Sequence, residues 1–279
     1  MTNRTIVLTG ASDGIGAAAA RQLHAQGHNL VLVGRSPAKT AEVARAIGNA
    51  PYHVADFADL AQVRELAATL QARYPRIDVL ANNAGGIMGE RTLTGDGFEK
   101  TFQVNHLAPF LLTTLLLPIL TASNAVVIQT ASAAAAMYGR FDVDDLQNAN
   151  DYRPEKAYGN GKLANILFTR ELDRRYRDQG ISAVAFHPGV VRSSFASDTT
   201  HFMRYLYHTP LVKNLFTISA DKGADQLVWL ATTAPGTDWQ RGAYYEKRKP
   251  AASSDQARDP ALARQLWDHS TALLALSTP

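Results

Sequence analysis

The 279-residue sequence contains no cysteine. This excludes disulfide bonds and thiolate metal sites, and it leaves the cellular compartment undecided. The histidines have no ligand partners at useful spacing, so we predict no metal site. No secretory signal is visible either, because the apolar run after Arg4 is far too short for a signal core. We therefore expect a cytoplasmic protein.

Strong charge of one sign is also missing, since the net charge is only +3 and basic residues are interleaved with acids. Residues 170–175, with the sequence RELDRR, show this pattern. It is typical of a solvated helix face, so we expect no nucleic-acid partner.

Charged residues are absent altogether from Thr101 to Gly139. A membrane span needs roughly 20 apolar residues, but Pro109 and Pro118 interrupt this stretch and Asn124 divides it. We therefore predict a buried helix followed by a buried central strand, and no membrane span.

Short apolar runs alternate with helical patterns in the chain. The runs that we predict to be strands are residues 5–8, 29–33, 52–55, 77–81, 125–130 and 181–186. The helical patterns include residues 15–26 and a helix that begins at Ser36 and Pro37. Near-continuous apolar strands separated by helices indicate a parallel sheet that is covered on both faces. We therefore predict an α/β fold, a Rossmann-type doubly wound parallel β-sheet, as a single domain over residues 1–279.

A glycine-rich turn follows the first predicted strand, with the sequence TGASDGIG from Thr9 to Gly16. Its spacing differs from the common GxGxxG fingerprint. Even so, glycines allow a tight turn and a close approach to a pyrophosphate, which then sits at the N-terminus of the next helix. An ordinary strand–helix connection is the alternative. Because of its position, we predict a dinucleotide-binding loop with the residues Gly10, Ser12, Asp13, Gly14, Ile15 and Gly16.

The second predicted strand lacks the acidic residue that, in NAD-binding sheets, bonds the ribose 2′-hydroxyl. Gly34 stands at that place, and Arg35 follows it. Arg35 favours a 2′-phosphate and Lys39 adds positive charge, whereas the negative charge of Asp13 mildly opposes this preference. A surface arginine at a strand end is the alternative. We predict NADP (NADPH) as the cofactor.

Tyr158 and Lys162 lie four residues apart in a predicted helix, so both side chains point to one face. A phenol has a pKa near 10 and is a poor base at neutral pH, but a nearby ammonium favours the phenolate. Tyr158 is therefore suited to exchange a proton with a substrate oxygen. Ser132, at the end of a strand, could donate a hydrogen bond to the same oxygen. The alternative for Tyr158 and Lys162 is an exposed pair of side chains on a helix, and the alternative for Ser132 is a hydroxyl in a turn.

Three segments and four further residues together resemble the motifs of the short-chain dehydrogenase/reductase family. Thr9–Gly16 fits its TGxxxGxG pattern, Asn82–Gly85 its NNAG segment, and Pro188–Gly189 its turn after the sixth strand. The residues that fit its catalytic tetrad are Asn105, Ser132, Tyr158 and Lys162. The motifs occur in the family's order, and residues 158–172 and 187–192 resemble the retinol-dehydrogenase-like branch.

The resemblance implies an oxidoreductase that moves hydride between a nicotinamide ring and a carbonyl or secondary alcohol. It implies that Lys162 also holds the nicotinamide ribose, that Asn105 supports a proton-relaying water, and that Ser193 offers a hydroxyl to the carboxamide. The other residues that it assigns to the cofactor site are Asp56, Phe57, Asn83, Ala84, Gly85, Tyr158, Pro188, Gly189 and Val191. Gly161 departs from the family, which usually has a larger residue there, and the sequence offers no firm account of it.

Aromatic and apolar side chains are frequent after Ser193, and by resemblance residues 193–218 form a small helical lid over the substrate. An apolar lid suits a bulky apolar carbonyl compound. The alternative is that the side chains of residues 193–218 pack against the core or form a dimer or membrane-surface patch. The resemblance also allows a homodimer through the helices at 95–120 and 154–179, although related monomers occur.

Two other functions on the same fold stay open. A nonenzymatic NADP-binding sensor generally loses the tyrosine or the lysine, and both are present here. An epimerase or dehydratase usually has a longer substrate domain, for which the residues after Ser193 leave little room.

Overall fold

The computed structural model describes residues 3–189 and 218–276, and a β-sheet of eight strands lies at the centre of these residues. The strands are β1 (Thr5–Thr9), β2 (Asn29–Gly34), β3 (Tyr52–Val54), β4 (Val79–Asn82), β5 (Val126–Thr130), β6 (Ser182–His187), β7 (Tyr244–Glu246) and β8 (Lys249–Pro250). Their order across the sheet is β3-β2-β1-β4-β5-β6-β7-β8, and only β8 pairs in the antiparallel sense. The predicted doubly wound parallel sheet is confirmed.

Helices pack on both faces of this sheet. They are α1 (Gly14–Ala25), α2 (Pro37–Ala46), α3 (Leu60–Arg73), α4 (Lys100–Phe102), α5 (Ala108–Ala122), α6 (Ala134–Met137), α7 (Pro154–Tyr176), α8 (Ala220–Thr232) and α9 (Pro260–Leu273). A π-helical turn, Gln103–Leu107, joins α4 to α5. We call it the π-turn.

Side chains that alternate along each strand enter two separate cores. In β1, Ile6 and Leu8 pack with residues of α1, α2 and α8, whereas Val7 packs with residues of α3, α5, α7 and α9. All three side chains are fully buried. Because both faces of the sheet are covered, the strands are apolar throughout instead of alternating with polar residues.

The predicted helix start at Gly95 is wrong, and the helix begins at Lys100. The reason is a cap that the sequence pattern does not reveal. The buried carboxylate of Glu99 accepts the backbone N–H groups of Thr101 and Phe102 at 2.8 and 2.7 Å. These bonds satisfy two of the free amides at the helix start. Serine, threonine, aspartate and asparagine are the usual residues in this role.

The uncharged stretch after Thr101 includes α5 and β5, which are the predicted helix and strand, and also the π-turn, which was not predicted. By length and composition alone, Lys100–Ala122 is the one helix of the described residues that could cross a membrane. However, 67% of its most apolar window is buried, as in a core helix. The prediction of a buried helix followed by a buried central strand is confirmed.

Four elements after residue 218, namely α8, β7, β8 and α9, have no counterpart among the predicted ones. The two strands lie in the charged segment RGAYYEKRKP at 241–250, which contains no clear apolar run. They extend the sheet beyond β6, and α9 packs against α7.

Candidate active site

The strand order reverses between β1 and β4, which opens a crevice at the carboxyl ends of the parallel strands. The chain segments that follow β1 to β6 all leave the sheet at this edge. The predicted site residues within 3–189 lie on these segments or on the π-turn and α7, which pack beside them. The topology therefore brings them to one place.

The predicted phosphate loop is held tightly against the segment after β4. Gly10 has φ +66°, and a Cβ there would lie 2.8 Å from the Ala84 Cα. A Cβ on Gly16 would overlap the Gly10 carbonyl oxygen, and Gly14 has φ +52°. Glycine is thus required at positions 10 and 16 and favoured at position 14, and α1 begins directly behind the loop. This close backbone is the cradle that a pyrophosphate needs.

The Asp13 carboxylate caps the same helix by accepting the Gly14 N–H at 2.7 Å. It also lies 3.3 Å from the Lys39 ammonium at the start of α2, and both side chains are about half exposed. The negative charge that opposes NADP is therefore balanced by a cation in the structure. Ser12 and Ile15, which lie on either side of Asp13 in the chain, are half-buried.

The end of β2 has no room for the acidic side chain that NAD-binding sheets carry. A Cβ on Gly34 would overlap the Thr40 hydroxyl oxygen and lie 3.0 Å from the Ser12 Cβ. Arg35 comes next, is exposed, and makes no side-chain hydrogen bond or ion pair within the part of the chain that the structure describes. This corner therefore lacks an acidic side chain and presents an exposed guanidinium.

Asp56 and Phe57 follow β3, next to the end of β2. The Asp56 carboxylate accepts the Ala58 N–H at 2.9 Å. Phe57 is buried, and its carbonyl accepts the Gln103 amide at 3.2 Å. Both residues thus shape the edge of the crevice on the side of β3.

Thr9 ties the phosphate loop to the segment after β4. Its hydroxyl oxygen accepts the N–H groups of Asn83 and Ala84, each at 3.0 Å. The Asn83 side-chain amide donates to the Thr9 carbonyl at 3.1 Å, and its oxygen accepts the Thr130 hydroxyl at 3.3 Å. The side chain of Asn83 therefore holds the loop. Thr9 was absent from the predicted site residues, although it opens the glycine-rich pattern.

Tyr158 and Lys162 lie on one face of α7, as predicted. The Lys162 Nζ is 5.5 Å from the centroid of the Tyr158 ring and donates to the Thr130 carbonyl at 3.0 Å. Tyr158 is buried against Ile87 and Ala134. Lys162 is only 2% exposed, and burial lowers its pKa from the ordinary value to about 7. Its charge is therefore sensitive to nearby groups at neutral pH.

Asn105 lies in the π-turn, with no exposed surface. Its side-chain oxygen accepts the Gly86 N–H at 3.1 Å, and its side-chain nitrogen donates to the carbonyls of Gly86 and Thr101 at 2.8 and 2.9 Å. Gly85 covers this group, because a Cβ there would lie 2.6 Å from Asn105 Oδ1 and 3.0 Å from the Lys162 Nζ. The three residues thus form one packed unit.

The structure accounts for Gly161, which the sequence left unexplained. A Cβ at this position would lie 3.2 Å from the Asn105 Cβ. Glycine therefore lets α7 approach the π-turn closely.

Residue 109, four positions after Asn105, is a proline and has no N–H. The Asn105 carbonyl thus lacks the amide that an α-helix would supply.

Ser132 follows β5 and is half-buried. Its hydroxyl oxygen accepts the Ala134 N–H at 3.2 Å. That bond uses a lone pair and leaves the hydroxyl hydrogen for donation. Ser132 can therefore donate to an oxygen placed in the crevice.

Pro188 and Gly189 follow β6 and are half-buried. Gly189 has φ +89°, so the predicted turn is present. Val191, Ser193 and the predicted lid up to residue 217 lie outside the described residues. Within residues 3–189 and 218–276, no group of three or more metal-ligating side chains is found.

A protein-family model described as short chain dehydrogenase matches residues 4–203. A protein of Streptomyces sp. (strain C5) that is named as a daunorubicin C-13 ketoreductase is 45% identical over 98% of this chain and 93% of its own length. Human retinol dehydrogenase 13 is 36% identical over 99% of this chain and 86% of its own length. The crystal structure of an uncharacterised protein from Mycobacterium paratuberculosis is 34% identical, with a TM-score of 0.79 and coverage of 99% of this chain and 95% of that one. The predicted resemblance is confirmed.

The glycine that covers the Lys162 amine provides a direct test of the site. Gly85→Ala should lower turnover of a carbonyl compound with NAD(P)H by about 100-fold, because the new methyl group displaces Asn105 or Lys162. Gly161→Ala should have a smaller effect, since the Asn105 Cβ needs to move by only a few tenths of an ångström.

Gly95→Ala is the matched control, because a Cβ at that glycine would meet nothing within 4 Å. Steady-state rates and circular dichroism of the three variants are the measurements. Equal rates for Gly85→Ala and Gly95→Ala would show that the packing around Lys162 does not matter for turnover.

Proposed function

The chain belongs to the short-chain dehydrogenase family, and from this premise we propose that it is an NADPH-dependent enzyme that interconverts a bulky apolar ketone or aldehyde and its alcohol. Membership makes it an oxidoreductase that acts on CH–OH groups. The observation that carries the proposal is the packing of Lys162 and Asn105 under Gly85, with the Tyr158 ring 5.5 Å from the Lys162 Nζ, at the carboxyl edge of the sheet.

Each side chain of this group has a role in the reducing direction. Bound NADPH supplies the hydride that reduces the carbonyl carbon. Tyr158 gives its phenolic proton to the carbonyl oxygen, so that an alcohol forms and a phenolate remains. The Lys162 cation stabilises this phenolate, and Ser132 donates a hydrogen bond to the same oxygen while it gains negative charge. Oxidation of the alcohol uses the same groups in reverse.

The proton that Tyr158 gives up must be replaced from solvent. We assign a relaying water to the backbone carbonyl of Asn105. The support is that Pro109 cannot offer this carbonyl an N–H, while the Asn105 side chain is already bonded to Gly86 and Thr101.

The preference for NADPH is supported by the end of β2. The space at Gly34 is closed to an acid, and Arg35 is an exposed cation next to it. Lys39 adds a second cation, although Asp13 shares its charge. Arginine is suited to bidentate binding of a phosphate.

A bulky apolar substrate is supported by the sequence of residues 193–217 and by the names of two relatives. The segment contains five aromatic residues, Phe195, Phe202, Tyr205, Tyr207 and Phe216. One relative is named for a ketone of daunorubicin and the other for retinol.

Arg35→Ala should weaken NADPH binding by about 1.5–3 kcal/mol, the range for a hydrogen bond to a charged group, and leave NADH binding nearly unchanged. Titration of cofactor fluorescence measures both dissociation constants. Arg45→Ala, an exposed arginine at the end of α2, is the control for a general loss of positive charge. Equal affinities of the wild type for the two cofactors would contradict the proposal.

The reaction is tested by following NADPH absorbance against a panel of apolar ketones, quinones, long-chain aldehydes and short polar carbonyls. Wild type should show its highest kcat/KM with apolar members of the panel. Tyr158→Phe should lower the rate by at least about 100-fold and keep NADPH binding, since only the proton donor is lost. Tyr176→Phe, at the other end of the same helix, should keep most of the rate.

NADPH binding without turnover of any compound in a broad panel would favour the sensor instead. Near-normal rates in Tyr158→Phe would show that another group is the acid.

A further inference from the structure

Helix α9 lies outside the residues that match the family model, yet it reaches the catalytic elements. Its Trp267 is buried among the rings of Phe110, Phe168 and Tyr176, at centroid distances of 5.0 to 6.1 Å. These rings belong to α5 and α7. The C-terminal helix is therefore packed directly against the supports of the active site.

His106 is the point at which α9 meets the π-turn. It follows Asn105 in the chain and has no exposed surface. Its Nε2 lies 2.9 Å from the Ser270 hydroxyl of α9. Burial lowers the pKa of His106 to about 3, so the imidazole is neutral at working pH.

Rings surround the rest of the imidazole. Phe102, Phe110 and Phe168 have centroids 5.3 to 6.1 Å from it. The other ring nitrogen, Nδ1, has no hydrogen-bond partner among the described residues. Ser270 therefore provides the single hydrogen bond that fixes how the His106 ring is turned.

Asn105 and His106 are thus held from two sides. Asn105 is bonded to Gly86 and packed on Gly161, whereas His106 is bonded to Ser270. Neighbouring residues of one helical turn cannot rotate independently. The direction in which the π-turn aims Asn105 therefore depends on how His106 is held.

We propose that Ser270 is a positioning residue for the active site, which acts through His106 to hold the π-turn and Asn105 in register with Lys162. The kinetic part of this proposal rests on the proposed function. On this account α9 affects catalysis by positioning Asn105, although it contributes no group to the crevice. A residue that only fills the core would affect the free energy of unfolding and nothing else.

Ser270→Ala removes the hydroxyl and leaves His106 without a hydrogen bond. Thr271→Val is the matched control, because the Thr271 hydroxyl is also buried in α9 but donates to the Trp267 carbonyl of its own helix. Ser270→Ala should lower kcat about tenfold, as expected for a small misplacement of a catalytic group, with KM for NADPH unchanged. Its solvent deuterium isotope effect on kcat should rise, because proton delivery becomes slower. Thr271→Val should change neither quantity.

A second variant separates positioning from stability. His106→Phe fills the same space with a ring that needs no hydrogen bond. If Ser270 acts through His106, adding Ser270→Ala to His106→Phe should have no further effect on kcat. Additive effects of the two substitutions on kcat would overturn the proposal. It would also be overturned if Ser270→Ala lowered the urea midpoint of unfolding but left the solvent isotope effect unchanged.

Amide hydrogen exchange tests the same contact without any turnover. Peptides covering residues 84–88, which include the Gly86 N–H bonded to Asn105, should exchange faster in Ser270→Ala than in Thr271→Val. Unchanged exchange would refute the positioning role, whereas the failure of wild type to reduce any carbonyl would refute the proposed function alone.

Discussion

The enclosure of the Lys162 amine is the constraint on which the rest of the site depends. The Thr130 carbonyl binds it, and Gly85 leaves room for it beside Asn105. Removing a cation from water is costly, which is why the pKa of Lys162 falls to about 7. The same enclosure keeps the amine 5.5 Å from the Tyr158 ring, where a positive charge favours phenolate. The fold thus keeps a destabilised cation beside Tyr158, the proton donor that we propose.

Close packing also explains the cofactor corner. At Gly34 an acid is absent because Thr40 and Ser12 already occupy the space that its side chain would need. The preference that we propose for NADPH therefore has a steric part, besides the positive charge of Arg35. Similarly, the phosphate loop is close to the segment after β4 because Gly10 has no side chain. Small residues at this edge mark places where two backbones meet.

Local patterns predicted much of this molecule. Apolar runs identified six strands, and the glycine-rich turn and the Tyr158–Lys162 spacing indicated the candidate site. What could not be predicted depends on contacts between distant positions. Gly161 is explained only by Asn105, 56 residues before it, and the contact of His106 with Ser270 spans 164 residues. Local periodicity carries no information about such pairs. The strands β7 and β8 were missed for another reason, since they lie in a segment rich in charged residues, RGAYYEKRKP at 241–250, which contains no clear apolar run.

The most direct test of the central role of Lys162 is the pH dependence of carbonyl reduction in wild type and in Lys162→Met, at saturating NADPH. Activity should fall at high pH, when the proton donor is lost. In wild type this fall should be centred well below about 10, the ordinary pKa of a phenol, because a phenolate at Tyr158 and a cation at Lys162 stabilise each other, so that the pair keeps the lysine charged above its own pKa of about 7. In Lys162→Met the residual activity should fall at a pH at least about one unit higher, since the cation is gone. A fall at the same pH in both proteins would contradict the account.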